Sequence, residues 1–426
     1  MAREVGIGLI GLGTVGSAVA RRLIDEWELL GDRAGAIPVV RRVAVRDPAR
    51  SRDVVLPAAV RIDGEPEALV DDDAVVVVVE VMGGIDRASA LMERALRLRK
   101  PVVTANKAAL AAHGLELCGL AAEMGVSLRY EAAAGGGLPV VALVADSLRG
   151  DRVTSLQMII NGTTNIVLSA MERDGSTIAA ALGQAQRRGF AEADPSADVD
   201  GHDAAAKLVL LGRLAFDAAL LPGDVDTTGI GAVQPADVAA ARILGGSIKL
   251  VAQAALNGDT TFLSVRPTVV LAGHPLHGVD DADNALVVDA DLAGRVRLSG
   301  LGGGGDSTAS AVVSDLVATI RAPQQTPRVP VRRPVIADGS TVERGAYIRV
   351  RLRDVDEAAS LVTQALEDRG VQVLASASPP GTSGSVELAV LTAPIAAEIL
   401  ERATETLDSL AMVAEVSTVM DCLGPG

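Results

Sequence analysis

Cysteine is almost missing from this 426-residue chain: Cys118 and Cys422 stand far apart, with no CxxC pair and no histidine beside them. That spacing excludes a disulfide framework and a zinc site, and it leaves both residues as small buried hydrophobes. Net positive charge is missing too. A formal charge of -15 and a pI near 4.8 offer nothing to phosphate backbones or anionic membranes, so neither nucleic acid nor membrane is expected as a partner. No uninterrupted apolar run reaches the roughly 18 residues of a membrane helix, and the first residues lead straight into a strand-like, glycine-rich segment. A cytoplasmic location is the expectation. Lysine is scarce as well: of 39 basic residues only Lys100, Lys107, Lys207 and Lys249 are lysine. Arginine does not surrender its proton at accessible pH and a buried lysine can, so each lysine is a candidate for a place that needs an ammonium.

What is present is glycine and a regular alternation of apolar runs. "VGIGLI" at residues 5–10 leads into "GLGTVGSAVARRLIDEW", which reads as strand, tight turn and amphipathic helix. Strand-like runs follow at 39–45, 74–81 and 101–103, with helical patterns such as "RASALMERALRLR" between them. Strands alternating with helices predict a doubly wound parallel α/β sheet over residues 1–135, rejoined by residues 306–322. Over 136–305 the rhythm changes. A long helix near 202–216 and strand-like "TFLSVRPTVV", "NALVVDADL" and "GRVRLSG" predict an α+β domain for substrate binding and oligomerisation. Prolines at 323, 327, 330 and 334 mark a linker over 323–344, and residues 345–426 read βαββαβ, a small ferredoxin-like unit of regulatory type.

The "GLGTVG" turn places Gly11, Gly13 and Gly16 at GxGxxG spacing between strand and helix, with Leu12, Thr14 and Val15 filling the loop. Gly11 permits the turn, Gly13 lets amides approach a pyrophosphate, and the helix N-terminus favours its charge, so a Rossmann-type dinucleotide site is expected. At the end of the second strand "VAVRDPARSR" puts Arg46 first, then Asp47, Arg50 and Arg52. Guanidinium groups suit a 2'-phosphate, which favours NADP; Asp47 keeps NAD open. Asp203 precedes Lys207 by four residues, so the two share a helix face.

Five further motifs follow in order: "TANKAAL", "YEAAAGGGLPV", "INGTTN", "GFAEADPSADVDGHDAAAK" and "GLGGGGDSTASAVVSDL". Over about residues 5–320 the chain resembles the homoserine dehydrogenases, and residues 345–426 resemble the ACT domain that many of them carry. The resemblance implies NAD(P)-dependent interconversion of L-homoserine and L-aspartate 4-semialdehyde on the path to threonine and methionine. It also implies site residues. Lys107 and Lys207 match functional lysines, with Lys107 also near the cofactor; Glu192 and Asp198 match acidic substrate-binding positions; Gly162 and Thr163 lie where the substrate carboxylate is held. Gly304 falls in the second cofactor loop, where Gly303 departs from the alanine that is common there. Glu131 and the carbonyls of Ala134, Gly136 and Leu138 match a loop for a monovalent cation such as sodium, a reading compatible with a plain glycine hinge.

Removing the hydroxyl proton as hydride leaves requires a base, and the reverse step requires an acid. Lysine serves as both if its pKa falls, and Lys107 and Lys207 are expected to depress one another. Asp203, whose charge acts the other way, is expected to orient. Asp194 and Asp200 have readings as an Asp-Pro turn and a helix cap beside substrate contact, and His202 reads as a helix start. None of the four histidines fits a histidine-based dehydrogenase. A non-catalytic cofactor- or amino-acid-sensing regulator is the alternative, and aspartate-semialdehyde dehydrogenase fails because neither cysteine is placed as a nucleophile. A homodimer or homotetramer is expected, since an exposed sheet needs cover. In "RDVDEAAS" Glu357 stands where an ACT-like turn has glycine, which predicts weak or absent threonine inhibition through that domain.

Overall fold

A computed structural model describes residues 3–324, 330, 332–337, 339, 342–353, 358–379 and 386–425. Strands β1 (Glu4–Ile10), β2 (Ile37–Ala44), β3 (Arg61–Asp63), β4 (Val77–Glu80), β5 (Val102–Thr104) and β6 (Leu128–Arg129) form one sheet in the order β3-β2-β1-β4-β5-β6. Every pair in it is parallel. After its first residue β1 is buried on both faces, because helices cover both sides of a doubly wound sheet and leave no solvent face to produce alternation. Chain order reverses between β1 and β4, the switch point beyond whose carboxyl ends such sheets bind their ligands. The helix Gly305–Arg321 returns to this sheet: Ala309, Val312 and Leu316 share a core with Ile7, Leu9, Val19 and Val79.

The second sheet is mixed. Its central strands run in the order Gly294–Leu301, Asp283–Ala290, Val153–Ile159, Gly246–Asn257 and Thr260–Leu271, all antiparallel. Three of these follow the sequence pattern. Gly246–Asn257 was not expected as a strand, although Ser247, Ile248, Lys249 and Leu250 alternate polar and apolar; its first seven residues are all buried. Helices Gly162–Asp174, His202–Phe216 and Pro235–Ile243 pack their apolar residues into the core that this sheet shares. Both cysteines are buried and unpaired, and burial pushes each thiol up to about 12.

The carboxy-terminal residues do form βαββαβ. Glu343–Leu352, Val373–Ala377, Val386–Thr392 and Val413–Leu423 are the strands, with helices Ala358–Glu367 and Ala397–Asp408 packed on them. In space the last strand lies beside the first, then the third, then the second, an antiparallel ferredoxin-like order. This small sheet is continuous with the central one, because Thr268, Val269 and Val270 pair in parallel with Asp421, Cys422 and Leu423. A buried ion cluster adds to the junction. Arg349, 2% exposed, reaches Asp237 Oδ1 at 2.6 Å, Glu387 Oε2 at 2.9 Å and Gln234 Oε1 at 2.9 Å. Gln234 and Asp237 begin the helix Pro235–Ile243, so one guanidinium joins three elements from two parts of the chain. Glu357 lies outside the described residues.

Candidate active site

Two helices present uncapped N-termini to one another at the mouth of the parallel sheet. Gly11 leaves β1 with φ +101°, and a Cβ there would stand 2.6 Å from the Val81 carbonyl oxygen. A Cβ at Gly16 would meet the Gly11 carbonyl at 2.3 Å, so the helix Thr14–Asp25 rests directly on the turn. Gly13 has open space beside it, as a backbone that must admit a pyrophosphate requires. The second helix, Gly305–Arg321, is preceded by Gly304 at φ +115°, and a Cβ on Gly305 would touch Thr14 Cγ2 at 2.9 Å. Neither helix has a side-chain cap, and the loop Gly11–Leu12–Gly13–Thr14–Val15–Gly16 and Gly304 lead into the two first turns, whose amides are of the kind that could hold an anion. Arg46 is exposed beyond the end of β2. The Asp47 carboxylate accepts the Ala49 amide at 3.0 Å, and Arg52 donates to the Asp47 and Arg50 carbonyls at 2.6 Å.

Lys107 is the first residue of the helix Lys107–Met124, just past the carboxyl end of β5. Asn106 caps that helix by accepting the Ala109 amide at 3.1 Å and donates to the Gly84 carbonyl at 2.7 Å. Thr104 donates to the buried Glu80 carboxylate at 2.7 Å, and burial raises the Glu80 pKa. These three fix the turn that presents Lys107. The sequence reading took only the lysine from that motif.

Asp203 stands between the two lysines. Its Oδ1 lies 2.5 Å from Lys107 Nζ and its Oδ2 lies 2.9 Å from Lys207 Nζ, one turn along the helix His202–Phe216. Lys207 also donates to the Ile160 carbonyl at 2.8 Å. Asn161 Nδ2 donates to Asp203 Oδ2 at 2.8 Å and Asp198 Oδ1 at 2.7 Å, while its Oδ1 accepts the Thr164 amide at 2.8 Å. One amide thus ties the head of the helix Gly162–Asp174 to two carboxylates. Asn161 was not singled out from the sequence, although it is the second residue of "INGTTN".

The electrostatics differ from the expectation that the lysines depress one another. Burial pushes the Asp203 carboxyl up, but Lys207 and Lys107 outweigh burial and hold it well below the usual carboxylate range. Burial likewise pulls Lys107 down, yet Asp203, with Asp198 and Glu192 behind it, raises its pKa overall. At Lys107 the carboxylate, not the second ammonium, decides the direction.

Profiles described as "Homoserine dehydrogenase" and "Homoserine dehydrogenase, NAD binding domain" match residues 139–317 and 11–131. The homoserine dehydrogenase of Bacillus subtilis is 33% identical over 431 residues, an alignment covering 100% of this chain and 99% of that protein. The chain belongs to the homoserine dehydrogenase family. The Corynebacterium glutamicum homoserine dehydrogenase is 42% identical over 322 residues, covering 74% of this chain and 72% of its own. Among solved structures, a homoserine dehydrogenase from Thiobacillus denitrificans superposes with a TM-score of 0.91 at 32% identity, with 100% of each chain covered. A hyperthermophilic archaeal homoserine dehydrogenase in complex with NADPH gives 0.61 at 26% identity over 75% of this chain and 99% of its own. The protein is therefore an NAD(P)-dependent oxidoreductase that acts on the CH–OH group of a small molecule, interconverting L-homoserine and L-aspartate 4-semialdehyde. Family membership disfavours the regulator alternative.

The remaining family-matched positions lie around this centre. Gly162 opens the helix Gly162–Asp174, and Thr163 Oγ1 donates to the Phe190 carbonyl at 3.2 Å. Glu192 is exposed, and its carbonyl accepts Gln186 Nε2 at 3.0 Å. Asp194 accepts the Ser196 amide at 3.2 Å in the Asp-Pro turn. Asp200 does not cap the helix that His202 begins. Gly201, at φ +86°, takes the cap position without a side-chain bond, and Asp200 ends the short helix Ser196–Val199.

Glu131 begins the short helix Glu131–Gly135, and both of its carboxylate oxygens accept amides, from Val141 and Ala142, at 2.8 Å. Burial raises its pKa. The buried Asp315, which accepts the Glu131 amide at 2.7 Å, is pushed up to about 7, first by its burial and further by the Glu131 charge. The Leu138 carbonyl accepts the Val140 amide at 2.9 Å, and Gly136, at φ +62°, packs so closely on Gly302 that a Cβ would stand 1.8 Å from its carbonyl oxygen. Ala134 is fully buried in the same loop.

Proposed function

We propose that Lys207 moves the proton at the substrate oxygen, with Lys107 beside it and Asp203 orienting both ammonium groups. The observation that carries this reading is the grip of one buried carboxylate on two lysines from different helices, at 2.5 and 2.9 Å. Lys207 is held on two sides, by Asp203 and by the Ile160 carbonyl, as a group that must meet a substrate atom within hydrogen-bond reach is held. The nicotinamide, when bound, accepts the hydride from the carbinol carbon or returns it. An ammonium held by Asp203 is ready as the acid for reduction of the aldehyde, and oxidation asks for its deprotonated form. Glu192 and Asp198 receive the substrate ammonium, and the amides at Gly162 and Thr163 receive its carboxylate. Lys207→Arg tests the assignment in an absorbance assay at the nicotinamide band: the variant is expected to fold and lose most turnover, and near-normal kcat removes Lys207 from the chemistry.

The cofactor is NADP. Arg46 and Arg50 are exposed at the end of β2, while the Asp47 carboxylate is engaged in a turn and less available to a ribose hydroxyl. A monovalent cation such as sodium fits the loop that holds Glu131, Ala134, Gly136 and Leu138. The loop offers hard oxygen donors beside two buried carboxylates whose pKa values are raised, and a cation there favours their ionised forms. The enzyme works in the cytoplasm as a homodimer or homotetramer, with residues 136–305 as the substrate and oligomerisation domain and residues 1–135 with 306–322 binding the dinucleotide. Residues 345–426 act as an ACT-like unit beyond the 323–344 linker. The exposed Leu292 and Leu301 on the edge hairpin support such an assembly.

A further inference from the structure

Lys249 is the one fully buried lysine, near the start of the strand Gly246–Asn257. Its Nζ lies 2.6 Å from Asp280 Oδ1 and 3.3 Å from Asn165 Oδ1. Asn165 is itself buried, and its Nδ2 donates to the Val279 and Asp283 carbonyls at 3.1 Å each. Four residues further along the same helix, Ser169 accepts the Asp281 amide at 3.0 Å; four residues beyond that, Arg173 pairs with Asp281 at 3.5 Å. One face of the helix Gly162–Asp174 therefore grips the turn 279–283 from above, and Lys249 fastens that turn from beneath.

That turn joins the two halves of the active site. The Ala282 carbonyl accepts the Gly302 amide at 3.3 Å, and it is also the atom nearest to Gly162, 3.9 Å from where a Cβ would stand. The next residue but one, Asn284, is buried hard against Gly302, whose Cβ would fall 1.9 Å from the Asn284 Nδ2. Gly302 leads into Gly304 and the helix N-terminus at Gly305, while Gly162 heads the substrate-side helix. The turn thus touches both helix ends. Within the turn Asp281 stands at φ +54°, a left-handed conformation uncommon for a residue other than glycine, and bonds from outside the turn accompany it.

We propose that Lys249 is a positioning residue: by fixing the turn 279–283 it sets the distance between the substrate-binding head of Gly162–Asp174 and the cofactor-binding loop at Gly302–Gly305. This rests on the assignment of those two helix ends made above. The ammonium touches no reacting atom, so its loss acts through geometry alone. A misplacement of about 1 Å in a reacting pair costs on the order of a hundredfold in rate.

Lys249→Met in the full-length enzyme removes the charge and keeps most of the volume. Asp280 has a side chain 53% exposed and regains water, so no buried charge is stranded. Nicotinamide fluorescence gives the Kd for NADPH without substrate, and steady-state assays give the KM for homoserine and kcat. The expected result is a roughly tenfold rise in both the Kd and the KM, with kcat lowered by about ten- to a hundredfold. Lys249→Gln, which keeps a neutral donor in place of the ammonium and is the change to use if Lys249→Met does not fold, should move the same constants in the same direction by less. A folded variant with a lower melting temperature but unchanged Kd, KM and kcat makes Lys249 a structural anchor only and overturns the proposal. The NADPH measurement does not depend on which lysine moves the proton, so failure of the Lys207 assignment shows separately, as retained turnover in Lys207→Arg.

Discussion

Asp203→Asn removes the charge between the two lysines while preserving the shape of the side chain. In the wild type that carboxylate is 5% exposed, and it is the main cause that lifts the Lys107 pKa against burial. Neutralising it leaves burial and the neighbouring ammonium, both of which lower a lysine pKa. The Lys107 side chain is 46% exposed, so solvent weakens its share of the effect. An opposite charge at contact distance favours the charged form, so its removal should move the Lys107 titration to lower pH. The titration belongs to the three groups together, so the observable is one macroscopic limb.

The assay is kcat/KM for homoserine oxidation and for semialdehyde reduction from about pH 6 to about pH 11. Oxidation needs the deprotonated lysine, so its limb should move to lower pH in the variant, and reduction should begin to fail at lower pH than in the wild type. Stability gives a second reading. A depressed carboxyl pKa contributes stability that is present above the unfolded value and lost as pH falls toward the folded one, so the melting temperatures should converge below about pH 4. An oxidation limb that stays in place or moves to higher pH refutes the account of Asp203 as the group that keeps Lys107 protonated.

Other outcomes follow from the same structure. Arg349→Ala strands Asp237 and Glu387 in the junction between the helix Pro235–Ile243 and the carboxy-terminal sheet; about 3–5 kcal/mol of stability should go, and the carboxy-terminal unit should become the first site of limited proteolysis. Unchanged urea midpoint and cleavage pattern would falsify the junction as a stabilising contact. Asp315 is raised to about 7, so its contribution to stability is full below its unfolded value and lost as pH rises through neutrality; Asp315→Asn should therefore gain on the wild type in melting temperature between about pH 4 and pH 8. Sodium should raise the wild-type melting temperature more at pH 8 than at pH 5, where Asp315 is protonated, and an equal response to tetramethylammonium counts against a cation at Glu131. Arg46→Ala with Arg50→Ala should lower kcat/KM for NADP and leave that for NAD nearly unchanged, and a parent enzyme that already prefers NAD defeats the 2'-phosphate assignment.

Much of the nucleotide-binding half is legible because its signals are local. Gly11, Gly13 and Gly16 sit at fixed spacing next to a run of β-branched residues, and strand, turn and helix follow within a few residues of one another. Asp203 and Lys207 are legible for the same reason, as partners one helical turn apart. The arrival of Lys107 at Asp203 is not local, and with it comes the sign of the electrostatics: two lysines predicted to repel each other share a carboxylate instead. Asn161 and Gly201 escaped notice for opposite reasons. Asn161 bonds to residues about 40 positions away that no spacing rule reaches, and Gly201 takes a cap for which the neighbouring Asp200 has the better side chain but the wrong backbone. The strand Gly246–Asn257 was not singled out from the sequence, and the join of its neighbour Thr260–Leu271 to the carboxy-terminal sheet rests on main-chain pairing, which side chains do not announce.

The scarcity of lysine takes on a physical meaning once all four are placed. Lys107 and Lys207 share Asp203, Lys249 is enclosed with Asp280 and Asn165, and Lys100 donates to the Asp72 carbonyl at 2.7 Å. Lys207 and Lys249, the two enclosed ones, each end in a compact contact to two oxygens, where a planar guanidinium with five donors would overfill the space and leave buried N–H groups without acceptors. Arginine serves where a fork is wanted, as at Arg349, whose three nitrogens reach Asp237, Glu387 and Gln234 at once. A chain that uses arginine for its surface cations thus exposes its specialised ammonium groups by subtraction. Two of the four mark the candidate chemistry, and a third fastens the turn that spaces it, although Lys249 lies in a strand where no catalytic motif would direct attention.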